Sequence, residues 1–217
     1  MEEIVLNTEK SIGRIIENRE LAKGVHKIRV KTEAAAMFSA PGQYAKVGIP
    51  GTDMEGSFPI SEYDSARFTI VFNEDSPVAR KLITLQTGDE VSAVAGLGEG
   101  FDIDAIPNKA LLVADTTGIP QMLGLVRELL MRGKTCSLVL GFPSKDSIYM
   151  VDTFSNLCNN IEIVTADGSN GRQGYAYDVV RKAEYVCAAG SAEMLDKLTS
   201  KAAAGQFDLD GLSLTKW

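Results

Sequence analysis

The chain has 217 residues, 45% of them hydrophobic and 24% charged, with a net charge of −7; this composition suits a globular protein of one large or two small domains with a substantial core. The negative balance gives no support to nucleic acid or an anionic membrane as a partner. No run approaches the roughly 18 apolar residues of a membrane span, and the acidic opening MEEIVLNTEK is not a signal peptide.

Residues 10–105 read as β-structure. Segments 11–17, 25–32, 44–49, 67–72 and 90–95 are short and β-prone, and Pro41-Gly42-Gln43, Pro50-Gly51 and Thr87-Gly88-Asp89 punctuate them. Such regular spacing predicts a small antiparallel barrel or sandwich. One helical interruption is expected over 77–85, where Val78, Leu82 and Leu85 share a face. His26 lies in a strand pattern with Val25, Ile28 and Val30, and as the single histidine it supports neither a metal site nor a histidine-based triad.

From about residue 108 the pattern changes to alternating strands and helices. An apolar run at 110–114 is broken by Asp115-Thr116-Thr117-Gly118, which offers capping side chains. A helical pattern follows over 119–131, with Met122, Leu123, Val126, Leu129 and Leu130 on its apolar stripe. Pro120 falls in the first turn, where its missing N–H costs nothing. A second apolar strand at 136–141 completes a strand–helix–strand unit with a right-handed parallel crossover. Beyond it the chain predicts a short helix within 147–157, a strand at 161–165, a helix at 175–182, a strand at 185–188 and a helix at 191–204. The overall expectation is a two-domain α/β chain. An antiparallel β-barrel over 1–106 precedes a parallel α/β domain over 107–217, with the ligand site in the cleft between them.

The turn at 115–118 lies where α/β proteins bind nucleotides, because backbone N–H groups and the helix dipole favour a phosphate there. Only Gly118 remains of the glycines that let a backbone approach a pyrophosphate, and Asp115 sets a negative charge beside any phosphate. From the turn alone, a capped helix in an α/β core is the simpler reading. The three cysteines, Cys136, Cys158 and Cys187, are odd in number and far apart in sequence. They read as buried free thiols in a reducing, cytoplasmic setting.

Taken in order, a further set of landmarks carries a resemblance. Pro41-Gly42-Gln43-Tyr44 precedes a barrel strand, and Pro59-Ile60-Ser61, the run Ser76 to Leu82, Gly88-Asp89 and the run Gly96 to Phe101 follow. The second half adds Gly118-Ile119-Pro120, Asp167-Gly168-Ser169-Asn170-Gly171 with Gly174, and Ala189-Gly190 ahead of Met194-Leu195. Over residues 11–199 the chain resembles the ferredoxin–NADP reductase superfamily, and within it the electron-transfer subunit of two-subunit dihydroorotate dehydrogenase. The resemblance implies FAD on the barrel and NAD(P)H on the α/β domain, with hydride passing from nicotinamide to flavin. It also implies a catalytic partner subunit, a homodimer being the other assembly left open. The residues it assigns to flavin are Pro59, Ile60, Ser61, Gly96 and Gly98, and Arg80 is added as a nearby charge able to stand in at the phosphate. Those assigned to the nicotinamide nucleotide are Gly118, Asp167, Gly168 and Ser169.

The chain departs from the family pattern at each cofactor. A [2Fe–2S] cluster held by C-terminal cysteines needs four thiolates, and the tail AAAGQFDLDGLSLTKW contains none, so no cluster is expected. The family's Arg-Pro-x-Ser/Thr stands here as Phe58-Pro59-Ile60-Ser61, which lacks the bidentate fork for a phosphate. Ala79 replaces a phosphate-contacting threonine, leaving Arg80 and Lys81 as nearby positive charges. Ala188-Ala189-Gly190 replaces Cys-Gly-Pro, with Cys187 one place earlier. Asp167–Gly174 is the best-kept element, and it is also simply a good turn. Two functions follow: a flavin-dependent electron-transfer subunit or NAD(P)H:acceptor oxidoreductase without its own cluster, and a non-catalytic relative that keeps the fold for binding or assembly. Leu209, Leu212, Leu214 and Trp217 make the tail apolar enough to dock on a neighbour, packing back on its own domain being the ordinary alternative.

Overall fold

The computed structural model describes residues 10–180, 185–205 and 212–215. The first half forms a closed antiparallel barrel of β1 (Ser11–Ala22), β2 (Val25–Lys31), β3 (Tyr44–Gly48), β4 (Glu55–Tyr63), β5 (Arg67–Asn73) and β6 (Glu90–Leu97). Its strand order is β1-β2-β5-β4-β3-β6. Alternation decides which side chains fill it: Ile28 and Val30 of β2, Ala45 and Val47 of β3, and Phe68, Ile70 and Phe72 of β5 all belong to one buried cluster. The helical interruption is α1 (Pro77–Leu82), shorter than expected, with Val78 and Leu82 in that cluster and Leu85 partly buried against it.

Strand β4 lies outside the predicted strands, because Gly56, Ser57 and Pro59 weaken its local signal. Pairing on both sides overrides that weakness. Tyr44 faces Pro59 and Ala45 faces Phe58 across β3, while Ile60 faces Ile70 across β5, with a register shift before Glu62.

The second half is a six-stranded parallel sheet made of β7 (Lys109–Ala114), β8 (Thr135–Phe142), β9 (Ile161–Thr165), β10 (Arg172–Gln173), β11 (Val186–Ala189) and β12 (Leu212–Thr215). Its order is β10-β9-β8-β7-β11-β12. Strands buried on both faces explain the uninterrupted apolar runs. Leu112, Leu138 and Leu140 pack toward α2 (Ile119–Met131). Val113, Val139 and Val186 pack with α4 (Ala176–Val179) and α5 (Ala192–Ala203). The short helix α3 (Val151–Ser155) contributes Phe154.

Helix α4 is shorter than the expected 175–182 helix, and Lys182 falls outside the described residues. Of the apolar tail, Leu209 and Trp217 also lie outside them, whereas the backbone of 212–215 pairs with β11. The backbone of that part of the tail is thus joined to the sheet of its own domain.

The halves meet along a shared apolar seam. Val25 and Val71 point out of the barrel and join the α2 cluster together with Phe101, Ile103 and Ile106. Gln121, fully buried on α2, donates its Nε2 to the Gly42 carbonyl at 2.8 Å. Arg127 of α2 forms an ion pair with Glu62 of β4. Among the described residues, no helix is long and apolar enough to cross a membrane.

Candidate functional site

A cleft of about 490 Å³ opens at the seam. Phe58 and Pro59 of β4, Val71 and Phe72 of β5, and the turn residues Thr116 and Thr117 bound it, so both domains face it. Its other wall is α1, through Ser76, Pro77 and Val78. Gly56 permits the close packing there, since a Cβ at that position would stand 2.8 Å from Val78 Cγ1. Phe58 sits where the family pattern has arginine. It is buried with its ring 5.0 Å from Phe72 in an edge arrangement, so apolar packing fills the place of a charged fork.

The start of α1 offers a phosphate little. Pro77 has no N–H, the N–H of Ala79 is held by Ser76 Oγ at 3.1 Å, and that of Arg80 goes to the Ser76 carbonyl. The guanidinium of Arg80 turns away and donates to the Glu74 carbonyl at 3.0 Å. Asp53, Glu55 and Asp75 line the same cleft, and among its described lining residues there is no lysine or arginine. Lys10 pairs with Glu55 at 2.9 Å and holds its carboxyl below the usual range. The residues present therefore fit the apolar faces of a flavin ring but not the diphosphate of FAD, whose two negative charges would meet carboxylates without a compensating fork.

The other expected flavin residues are dispersed. Ile60 is buried in the barrel core. Ser61 is buried and donates its hydroxyl to the Thr69 carbonyl at 3.3 Å. It borders a second seam pocket of about 520 Å³, with Arg19, Lys27 and Arg29 nearby. These three cations share Glu17, at 2.8, 3.2 and 3.7 Å. Gly96 and Gly98 accept from Gln43 Nε2 at 3.2 and 3.0 Å and shape the barrel end. Gly96 has φ +70°, and a Cβ there would collide with the Met37 carbonyl oxygen at 2.2 Å.

On the nicotinamide side, the turn after β7 is closed upon itself. Asp115 accepts from the Ser191 N–H at 3.0 Å and hydroxyl at 2.5 Å, and from the Thr117 N–H at 3.0 Å and hydroxyl at 2.7 Å. Tyr149, buried so that its phenol is pushed well above the ordinary value, donates to the Thr116 carbonyl. The expected side-chain cap on α2 is absent: Gly118 is its N-cap, and the first-turn donors of Gly118 and Ile119 go to the Asp115 carbonyl. Asp115 is instead a tie between the ends of β7 and β11, 76 residues apart in sequence. Gly190 makes room for that carboxylate, because a Cβ there would stand 2.6 Å from Asp115 Oδ1.

A second cleft, of about 340 Å³, lies at the C-terminal ends of the strands, the usual ligand position in open α/β sheets. Phe142, Pro143, Ala166 and Tyr175 line it beside the acidic groups Asp115 and Glu193. Tyr175 stacks on Tyr177, centroids 5.3 Å apart and 8° from parallel, and the Lys201 ammonium lies 5.0 Å from the Tyr177 centroid. The sequence reading misses this aromatic pair. The Tyr-x-Tyr just after Gly174 was the available signal.

Asp167, Gly168 and Ser169 form a loop on the rim. Asp167 accepts from the Ser169 N–H at 2.9 Å and hydroxyl at 2.6 Å, which holds its carboxyl below the usual range. Ser169 Oγ accepts from the Lys145 N–H at 2.8 Å, tying the loops after β8 and β9 together. His26 binds Glu74 at 2.9 Å. Among the described residues, no group of three or more His, Cys, Asp or Glu side chains could hold a metal.

No protein-family model matches the chain. The electron transfer subunit of dihydroorotate dehydrogenase B (NAD(+)) from Listeria monocytogenes serotype 4a is 33% identical over 175 residues, covering 77% of this chain and 68% of that protein. The chain belongs to this family of electron transfer subunits. The Shouchella clausii subunit is 28% identical over 207 residues, covering 88% of this chain and 79% of its own length. Several other relatives are spanned over only about two thirds of their length, 66% for the Fusobacterium nucleatum subunit. Among solved structures, Amycolatopsis cytochrome P450 reductase matches with a TM-score of 0.82 at 15% identity, covering 96% of this chain and 69% of that one. The NADH-dependent reduced ferredoxin–NADP oxidoreductase matches with a TM-score of 0.78 at 21% identity, covering 91% and 74%. These likenesses show the ferredoxin reductase-like two-domain fold.

Proposed function

We propose that this electron transfer subunit holds a flavin by its ring in the seam cleft and serves a catalytic partner subunit. The carrying observation is the cleft itself, which exposes barrel residues Pro59 and Phe72 and turn residues Thr116 and Thr117 to one volume of about 490 Å³. A planar ring there would touch both domains. When bound, the flavin supplies the redox chemistry. The chain's own part is to cover the ring's apolar faces, fix its position and limit water. The strand-end cleft, with Tyr175 stacked on Tyr177, is the corresponding place for the planar part of a nicotinamide nucleotide. That the matched relatives are subunits of dihydroorotate dehydrogenase supports a partner subunit as electron acceptor.

A second reading, a non-catalytic relative used for binding or assembly, has its own support. Phe58, Ala79 and the Asp115 tie remove phosphate contacts at both nucleotide positions while leaving the core intact.

The test is an absorbance spectrum of the purified chain from about 300 to 600 nm, followed by fluorescence titration with riboflavin and FAD. Bound flavin that bleaches with NADH under anaerobic conditions upholds the electron-transfer reading. Failure to bind either flavin refutes it and leaves the binding role.

A further inference from the structure

The sulfurs of Cys136 and Cys158 lie 3.2 Å apart. Sequence gives no hint of this, since 22 positions separate them. The parallel pairing of β8 with β9 creates the meeting. Leu138 faces Ile161, and the Leu138 N–H donates to the Asn160 carbonyl at 2.9 Å. The segment entering β9 is thereby laid against the start of β8, where Cys136 is the second residue. Cys136 is half-buried and Cys158 is buried, both at the margin of the α2 cluster. The pair sits at the opposite end of β8 from Gly141 and Phe142, which line the strand-end cleft. Neither proposed nucleotide position uses it.

We propose that Cys136 and Cys158 form a reversible dithiol–disulfide site. Closing a disulfide requires the sulfurs to move from 3.2 Å to about 2.0 Å, a shift within the reach of side-chain rotation and small backbone adjustment. The Cys136–Cys158 contact also sets the two thiols apart: the hydrogen bond between them and burial push Cys136 up, and the same hydrogen bond draws Cys158 down.

With a peroxide as oxidant, the Cys158 thiolate attacks one peroxide oxygen. The O–O bond breaks, Cys158 becomes a sulfenic acid and the other oxygen leaves as water after taking up a proton. Cys136 then attacks the Cys158 sulfur. The S–S bond forms, the S–O bond breaks, and the hydroxyl departs with the Cys136 proton as a second water. Two thiols lose two electrons and two protons, and one peroxide is reduced to two waters. A dithiol reductant reverses the change by exchange. Cys187 provides an internal control. It is fully buried in β11, and burial pushes its thiol up to about 12.

The test uses the full chain, reduced, freed of reductant and treated with hydrogen peroxide at equimolar amounts. Free thiols are then counted by alkylation after unfolding, alongside the intact mass. The expected result is a fall from the three thiols of the sequence to one, a mass lower by two hydrogens, and a cross-linked peptide pair containing Cys136 and Cys158. Dithiothreitol restores all three thiols, and Cys187→Ser still loses two. Retention of all three thiols overturns the proposal. So does single oxygenation without a cross-link, or a covalent dimer as the product.

Discussion

Two glycines on one helix should respond to alanine with opposite signs. Gly118 precedes α2 with φ −94°, a conformation open to any residue, so only space is at issue. A Cβ there would lie 1.8 Å from the Ala189 carbonyl oxygen, 2.1 Å from its carbon and 2.5 Å from the Gly190 nitrogen. All three are backbone atoms of the β11 end and cannot swing aside. Relief requires the start of α2 to lift from the sheet, disturbing Ile119 and Met122, both fully buried. Overpacking of this kind costs about 1–3 kcal/mol, and three backbone collisions place Gly118→Ala at the top of that range, about 3 kcal/mol. Gly124 lies inside the same helix, where a Cβ would meet Ser61 O at 3.5 Å and Pro41 Cβ at 3.6 Å, ordinary contacts. Alanine there should stabilise by about 0.5–1 kcal/mol through backbone entropy. The assay is urea unfolding followed by far-UV circular dichroism on both variants and the parent. A Gly118→Ala protein within about 1 kcal/mol of the parent would refute the argument that this glycine serves helix–strand packing.

Neutralising the seam cleft, by Asp53→Asn, Glu55→Gln and Asp75→Asn together, should tighten FAD by roughly tenfold at low ionic strength, read by fluorescence titration. The gain should shrink as salt is added, and a salt-independent gain would contradict the charge argument. Glu17 gives a pH prediction. Burial draws its carboxyl upward, but hydrogen bonds from Arg19 and Lys27 and the charges of Lys27 and Arg29 outweigh this and hold it below the usual value. Its stabilising contribution is therefore complete above the unfolded pKa and is lost as pH falls through the native one. The stability difference between the parent and Glu17→Gln should be constant near pH 7 and shrink progressively as pH falls below the ordinary glutamate range and through the lowered native value, as measured by urea midpoints across pH. Closing the Cys136–Cys158 disulfide should stabilise the chain by about 3 kcal/mol through loop closure, raising Tm by roughly 6–12 °C in calorimetry, an increase that reductant abolishes.

Much of the fold was legible because the apolar periods are clear. The runs at 110–114 and 136–141 and the helical stripe between them appear as β7, β8 and α2 with boundaries moved by one residue or less. Strand β4 was not, since EGSFPISEY carries a proline and a glycine and is made a strand by its two neighbours. Strand β10 is too short to leave a pattern, at two residues. At the site, loss of charge at Phe58 was readable from one position. The fate of Asp115 was not: in sequence it is a carboxylate beside a turn, and its partner Ser191 is supplied by another strand end. The same holds for Cys136 and Cys158, whose meeting depends on strand register. Ser61 shows the converse, a residue read as facing the flavin whose hydroxyl is taken up by the Thr69 carbonyl.

The buried bond from Gln121 to the Gly42 carbonyl bears on how any ligand enters. Opening the seam would strand the buried Gly42 carbonyl, and would also part Arg127 from Glu62. The barrel and the sheet are thus locked rather than hinged, and the cleft between them is open at rest. A ligand that fits need not wait for a rare open state, so its apparent affinity carries no population factor. One that does not fit gains nothing by waiting.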